Sequence, residues 1–225
     1  MLRRLRPRQV ALRGLTPKGH LTLCALGALA LLATGACTPT VATQTQPALA
    51  QLVAPLHRIA VMPFAASPHV RGEAGGTPPR VAAQLVSKYV AEALAARGIE
   101  VVAPEDVAAT LAGANSAQRA AALLQEKHGA DAVVLGDVTR WEEREGEAYG
   151  TFHAAAVGFR VTLQGAPSGR VLWSAEFDER QQPLGDNVLR AGRYPGGGSR
   201  WLTAQELAHW GAQEIVRALP LGSAR

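Results

Sequence analysis

Acidic side chains are the first residues in the sequence that could do chemistry. Glu142, Glu143, Glu145 and Glu147 lie close together in a polar run directly after a predicted strand. Two carboxylates can act as general acid and general base when their environments separate their pKa values. An enzyme acting on cell-wall or glycan material would use Glu142 and Glu143, with Asp178 from a later strand. Such a polar run is more often simply the solvent-exposed end of a strand. We therefore keep the enzyme as the alternative interpretation and the solvent-exposed strand end as the preferred one.

Other patterns typical of catalysis or cofactor binding are missing from the sequence. The histidines show no HxxxH or HExxH spacing, and the two cysteines are both near the N-terminus, so no zinc site is predicted. The glycines of segment 72–76 match neither dinucleotide-binding nor P-loop spacing. Ser174 and Ser199 lack the GxSxG context of a hydrolase nucleophile. We therefore predict no catalytic residue, no metal and no cofactor.

Cys37 is the residue for which the sequence predicts a modification. Residues 1–36 contain six Lys and Arg and no acidic residue. The uncharged run Leu21–Ala33 has the length of a signal-peptide core, whereas about 20 apolar residues are needed to cross a bilayer. Gly35 and Ala36 precede Cys37 in an arrangement that resembles the lipobox of bacterial lipoproteins. The resemblance implies that residues 1–36 are a signal peptide and that the Cys37 thiol is acylated.

The residue after the cysteine bears on the membrane that receives the protein. Thr38 stands there, and the absence of Asp resembles the sorting signal for the outer membrane. We therefore predict a lipid-anchored outer-membrane protein that faces the periplasm.

The charge balance changes once the leader is removed. The full chain has 23 Lys and Arg, of which 17 remain after residue 36, against 18 Asp and Glu. Nucleic-acid binding needs a basic surface, which this balance does not provide. Nucleic acid is therefore not among the predicted partners.

Hydrophobic periodicity predicts a single α/β domain over residues 56–220. Residues 37–55 are uncharged and rich in Thr, Gln, Pro and Ala, which predicts a flexible tether after the lipidated cysteine, and residues 221–225 form a tail. Apolar runs at 57–64, 99–102 and 131–138 predict strands that alternate with helices and pair in parallel.

The C-terminal half shows a different pattern. Apolar residues alternate with polar ones on both sides of the turn 165–169, which predicts an antiparallel hairpin. Thr203 and Glu206 have the spacing of a capping box, which predicts the start of the last helix. The fold class is therefore α/β, with a mixed sheet, parallel N-terminal strands, a C-terminal antiparallel hairpin and flanking helices.

Aromatic and arginine residues suggest where a protein partner binds. The segment 181–201 is longer than the usual connection and joins two well-defined elements, which is typical of functional loops. Tryptophan, tyrosine and arginine are the types enriched at interfaces. The predicted interface comprises Trp141, Arg190, Arg193, Tyr194, Arg200 and Trp201. The alternative is that these residues cover the edge of the core.

Several stretches of the sequence are similar to a known group of proteins. They are HRIAVMPF, SKYVAEALAARGIEVV, GADAVVLGDV and RVTLQGAPSGRVLWSAEFDE, within about residues 57–219. They resemble bacterial periplasmic lipoproteins that share the α/β domain of the TolB N-terminal region, CsgG and LpoB. The stretch from Phe177 to Ala208 resembles an uncharacterised subgroup of these lipoproteins. The resemblance implies a non-enzymatic part in an envelope complex, with envelope proteins as partners and oligomer formation left open.

Three functions are consistent with these observations. The preferred one is a lipoprotein adaptor or assembly factor in an envelope secretion or transport complex. The second is a periplasmic enzyme, which would show buried carboxylates with shifted pKa values. The third is a carrier of lipid or another small ligand, which would show a large apolar cavity.

Lipidation of Cys37 is directly testable. Replacing Cys37 with Ser removes the thiol that would be acylated, so the Cys37→Ser protein is expected to accumulate as an unprocessed precursor. Metabolic labelling with a fatty acid should mark the wild-type protein and leave the variant unlabelled. Label on the variant would contradict the lipoprotein interpretation.

Overall fold

The computed structural model describes residues 41–45, 56–70, 76–111, 116–182 and 194–221. The leader and Cys37 lie outside these ranges, as do Arg190 and Arg193 of the predicted interface. None of the helices within the described ranges is both long enough and apolar enough to cross a membrane.

The described residues form a seven-stranded mixed sheet and a separate two-stranded hairpin. The strands are β1 (Val41–Thr45), β2 (Arg58–Val61), β3 (Ala65–Ala66), β4 (Glu100–Val102), β5 (Ala132–Glu142), β6 (Glu145–Glu147), β7 (Gly150–His153), β8 (Ala156–Gly165) and β9 (Val171–Arg180). The order along the sheet is β1-β9-β8-β5-β2-β4, with β3 pairing β5 beside β2, and β6 and β7 form the hairpin.

Strand β5 joins a parallel half of the sheet to an antiparallel half. It pairs in parallel with β2 and antiparallel with β8, and β2 in turn pairs in parallel with β4. Strands β8 and β9 form the antiparallel hairpin. The predicted mixed sheet, its parallel N-terminal strands and its C-terminal hairpin are therefore confirmed.

Helices cover both faces of the parallel half. The helices are α1 (Pro79–Ala96), α2 (Pro104–Thr110), α3 (Ala117–His128) and α4 (Ala204–Ala218), with a 3-10 turn at Pro195–Gly198. Helices α1 and α4 contribute Val86, Leu94 and Ile215 to the main core, while α2 and α3 contribute Val107 and Leu124 to a smaller core. Successive residues at the start of β5 belong alternately to the main core and to the smaller core, as expected for a strand that is buried on both faces.

Capping explains where two of the helices begin. The side chain of Ser116 accepts a hydrogen bond from the Arg119 N–H at 3.2 Å and starts α3. Thr203 and Glu206 form the predicted capping box at the start of α4. For α1, Pro78 stands at the cap position, and no side chain caps this helix.

The segment expected to be a flexible tether contains a strand. Val41–Thr45 pairs antiparallel with β9, in a register that runs from Val41 opposite Phe177 to Thr45 opposite Trp173. Its five residues alternate little in hydrophobicity, so the sequence pattern does not reveal the strand. An unpaired edge of β9 recruits it through backbone hydrogen bonds, which any residue except proline can supply. The expectation of a tether is therefore wrong for these five residues.

The packing of α4 against the sheet depends on the absence of a side chain at Gly211. A Cβ at this position would lie 2.7 Å from Cε1 of Phe177, whose side chain is completely buried. The ring also contacts Phe159 and Trp210, with centroids 5.2 and 5.7 Å apart. Because its neighbours are also buried, the ring has little room to move away from an added methyl group.

We expect Gly211→Ala to lower the free energy of unfolding by about 1–2 kcal/mol, because overpacking outweighs the better helix propensity of alanine. Chemical denaturation should be compared with that of Gly150→Ala. A Cβ at Gly150 meets nothing within 4 Å, so this control should change stability by less than about 0.5 kcal/mol. Equal stability of the two variants would show that Phe177 does not confine α4.

Candidate interaction surface

The acidic residues considered for catalysis are each engaged by a basic side chain or a hydrogen-bond donor. Glu142 pairs with Arg180, and Asp178 pairs with Arg140. Glu143 accepts hydrogen bonds from the Trp141 indole N–H and the Thr77 hydroxyl, both at 2.8 Å. The structure therefore places Glu142 and Asp178 in cross-strand ion pairs and uses Glu143 to hold Trp141.

A glycine allows one of these ion pairs to form. In the strand register, Gly158 of β8 lies between Arg140 of β5 and Asp178 of β9. A Cβ at Gly158 would lie 3.2 Å from Asp178 Oδ1 and 2.8 Å from Thr139 Oγ1. Arg140 therefore reaches across the middle strand because that strand carries no side chain there.

Two of the predicted interface residues are core residues. Trp141 and Tyr194 are 5% and 4% exposed. The Tyr194 hydroxyl donates a 2.6 Å hydrogen bond to Glu179, and its ring lies 5.1 Å from that of Trp210. Both side chains thus fasten their segments to the domain, and any direct role for them in partner binding stays a prediction.

Arg200 and Trp201 are half-buried and lie where the segment 194–203 approaches the β6–β7 hairpin. Two guanidinium nitrogens of Arg200 donate to the Glu206 carboxylate at 2.9 and 2.7 Å. The backbone N–H of Trp201 donates to the Ala148 carbonyl at 2.7 Å. The backbone carbonyl of Trp201 accepts a hydrogen bond from the Arg144 guanidinium at 2.6 Å. The hairpin and the segment 194–203 are therefore joined mainly through backbone groups.

A buried amide fixes this segment to the end of β9. Gln181 is 3% exposed, and its side chain donates to the Arg200 carbonyl at 2.8 Å and accepts from the Leu202 N–H at 2.6 Å. Buried polar groups that are fully bonded in this way favour one conformation over others. Arg200 and Trp201 are consequently held on a rigid support.

Together these contacts shape a small cleft, which we call the Trp201 cleft. Its volume is 240 Å³, and its lining includes Tyr149, Gln182, Ser199, Arg200 and Trp201. Tyrosine, tryptophan and arginine thus meet at one concave site, and these types dominate binding hot spots.

The two most exposed aromatic residues were not predicted from the sequence as interface residues. Tyr149 and Phe152 are 83% and 88% exposed, and both belong to the β6–β7 hairpin. The signal lies in the stretch from Glu145 to His153, where these two large aromatic residues stand among glutamates, small residues and a histidine. Apolar side chains in a polar run that lacks periodicity indicate a surface contact more than a core position.

Two larger grooves lie beside helix α1. The α1–α4 groove has a volume of 530 Å³ and lies over Ala93, Ala96 and Val216. The α1–α2 groove has a volume of 640 Å³ and includes Ala91 and Ala108. Within the described residues, no group of three His, Cys, Asp or Glu side chains could hold a metal ion.

No family model matches this chain, and no curated protein matches it. Among solved structures, a dodecameric single-residue variant of PelC from Paraburkholderia phytofirmans is similar, with 19% identity, 80% of this chain and 98% of that chain covered, and a TM-score of 0.50. Lipoprotein GNA1162 from Neisseria meningitidis is also similar, with 19% identity and a TM-score of 0.39. The match covers 59% of this chain and 91% of that chain.

The C-terminal domain of LpoB from Salmonella enterica is a further similar structure, with 12% identity and a TM-score of 0.34. The match covers 59% of this chain and 96% of that chain. At 19% identity the likeness to PelC shows a similar α/β fold. Membership of the lipoprotein group that shares the TolB, CsgG and LpoB domain stays a prediction.

The stability that the Arg200–Glu206 ion pair contributes beside the Trp201 cleft depends on pH. The hydrogen bond from Arg200 lowers the pKa of Glu206 from its usual 4.5 to about 2, with further hydrogen bonds from Thr203 acting in the same direction. A carboxyl group with a lowered folded-state pKa stabilises the fold above its unfolded-state pKa. This stabilisation is therefore complete above pH 4.5 and is lost as the pH falls towards 2.

We expect Glu206→Gln to reduce the loss of stability between pH 4.5 and pH 2. The carboxylate is partly exposed, so solvent screening limits the effect to about 1 kcal/mol. Thermal unfolding of wild type and variant across this range measures it, and Glu214→Gln on the same helix serves as the control. Parallel pH profiles for wild type and Glu206→Gln would contradict the assignment.

Proposed function

We propose that this protein is an outer-membrane lipoprotein, anchored through Cys37, whose periplasmic domain is a non-enzymatic adaptor or assembly factor. In this proposal it serves an envelope secretion or transport complex and binds protein partners rather than transforming a substrate. The periplasmic domain comprises residues 56–220, joined at its edge by strand β1.

The Trp201 cleft carries this proposal. It combines a half-exposed tryptophan, a half-exposed arginine and an exposed tyrosine on a support fixed by buried hydrogen bonds. Binding to a preorganised surface has a smaller entropic cost than binding to a loose loop. The geometry therefore favours recognition of a protein partner at the end of the sheet where β5 meets the β6–β7 hairpin.

The ion pairs described above argue against the enzyme alternative for the residues first considered. Glu142 and Arg140 of β5 pair with Arg180 and Asp178 of β9 across the intervening strand β8, so both carboxylates link strands of the sheet. This role explains why acidic and basic residues occur together at these positions.

Self-association is part of the proposal. PelC, which shares this fold, is a dodecamer in the structure similar to this chain. An adaptor on a membrane gains avidity when several copies bind one complex. We propose that this chain also works as an oligomer of identical copies.

The adaptor function predicts a specific effect of Trp201→Ala. The hydrogen bonds at this position use the backbone, so the substitution removes the indole and keeps the contacts with Ala148 and Arg144. We expect the envelope proteins that co-purify with the wild-type protein to be depleted at least about tenfold. The melting temperature should fall by no more than about 3 °C.

The matched control is Val81→Ala, because Val81 is an exposed apolar residue near the start of α1 and is not among the residues that line the cleft. It should retain the full set of partners identified by mass spectrometry. Retention of those proteins by Trp201→Ala would contradict the proposal. A large loss of stability in Trp201→Ala would instead support the role of covering the core edge.

A further inference from the structure

The β6–β7 hairpin exposes two aromatic side chains. Phe152 is 88% exposed and Tyr149 is 83% exposed, three residues apart. Tyr149 lines the Trp201 cleft, whereas Phe152 is not among the residues that line it. Large apolar side chains exposed close together mark interaction sites. Phe152 is therefore a candidate for a contact separate from the one proposed at the Trp201 cleft.

The hairpin is ordered before any such contact forms. Gly146 has a φ of +108°, and a Cβ there would lie 2.6 Å from the Gly150 carbonyl oxygen. The Thr151 hydroxyl donates to a backbone carbonyl oxygen within the hairpin, and Ala148 accepts the hydrogen bond from Trp201. The hairpin thus presents Phe152 on a fixed backbone, which limits the entropy lost on binding.

The charges of the hairpin indicate what kind of surface it meets. Between residues 145 and 153 it carries two glutamates and no lysine or arginine. Glu145 pairs with His153 at 2.7 Å, and Glu147 is exposed. A complementary surface would have an apolar floor and a rim with excess positive charge.

The α1–α4 groove of the same chain has these properties. Ala93, Ala96 and Val216 line it, and its charged lining residues are two arginines and one glutamate. Arg97 is positioned by donating to the carbonyl oxygens of Val216 and Leu219 at 2.5 and 2.9 Å. Arg217 is exposed and pairs with Glu214, an interaction weak enough at a surface to be exchanged for another carboxylate.

The α1–α2 groove is less suitable, although it is larger. Its charged lining residues are Lys88, Glu92 and Glu105, so acidic groups are in excess. The acidic hairpin would be repelled there. The sign of the charge therefore distinguishes the two grooves.

From this complementarity we infer that the β6–β7 hairpin of one copy docks into the α1–α4 groove of a second copy, with Phe152 over the apolar floor and Glu147 near Arg217. The inference rests on the self-association in the proposed function and specifies the surfaces. Because the hairpin and the groove are different surfaces of one chain, the contact is head-to-tail. Repetition of a head-to-tail contact gives a closed ring or an open filament.

Cysteine cross-linking between two tagged forms of the full-length protein tests this contact. One form carries Gly150→Cys in the hairpin near Phe152, where a Cβ meets nothing within 4 Å, the other carries Gln213→Cys at the groove, and both are produced together in the envelope. The natural cysteines are Cys24 in the predicted leader and the predicted lipidation site Cys37, so the introduced thiols are distinguishable. A mild oxidant should produce a disulfide-linked species that contains both tags. Either form produced alone should give no such species.

A charge exchange supplies an independent measurement. Glu147→Arg should raise the dissociation constant of self-association at least about tenfold, because it places arginine against Arg217. Arg217→Glu should weaken association similarly when present alone, and the double variant should restore most of it. Native mass spectrometry over a concentration series measures all four proteins. Exposed residues change in each case, so the melting temperatures should match.

The outcomes separate this inference from the proposed self-association. If the wild-type protein is monomeric at every concentration, self-association and this contact both fail. If it forms oligomers that yield no mixed-tag disulfide and tolerate Glu147→Arg, the contact is wrong while self-association stands. Mixed-tag cross-linking together with rescue in the double variant supports the contact.

Discussion

The structure depends on the pairing of strand β5 with both halves of the sheet. Its first residues pair in parallel with β2, and nearly its whole length pairs antiparallel with β8. Helices α1 and α3, which precede β5 in the chain, pack on opposite faces of the parallel half, so this strand is buried on both sides. Its far end carries Trp141 and leads directly into the β6–β7 hairpin. The proposed interaction surface is therefore an extension of the strand that joins the two halves of the sheet.

Local sequence patterns predicted the parts of the fold where a segment's own hydrophobic or capping pattern matches its position in the folded domain. The alternation in β8 and β9 arises because one face of the hairpin is buried against the core. The capping box of α4 is recognisable because the first backbone N–H groups of a helix need hydrogen-bond acceptors. Strand β1 was missed because its pairing is decided by the free edge of β9 and not by its own residues. Such tertiary effects leave no periodic signal in a short segment.

The candidate site was harder to predict for a related reason. A register shift between Val138 and Arg140 breaks the alternation of β5, so Trp141 faces the core although its neighbours suggest an exposed strand end. Tyr194 is buried because its hydroxyl meets Glu179, a partner 15 residues away. The residue types at the interface could be recognised from the sequence, but which of them face solvent depends on contacts between distant segments.

Strand β1 also changes how far the domain could move from a membrane. If Cys37 carries lipid, a tether ending at residue 56 would allow a separation of about 65 Å, since an extended chain spans about 3.5 Å per residue. With Val41 already fixed beside β9, the four residue steps from Cys37 to Val41 can span at most about 14 Å. Lipidation would then hold the β1 edge of the sheet within that distance of the membrane surface. A partner would have to bind a part of the domain that so short a spacing leaves accessible.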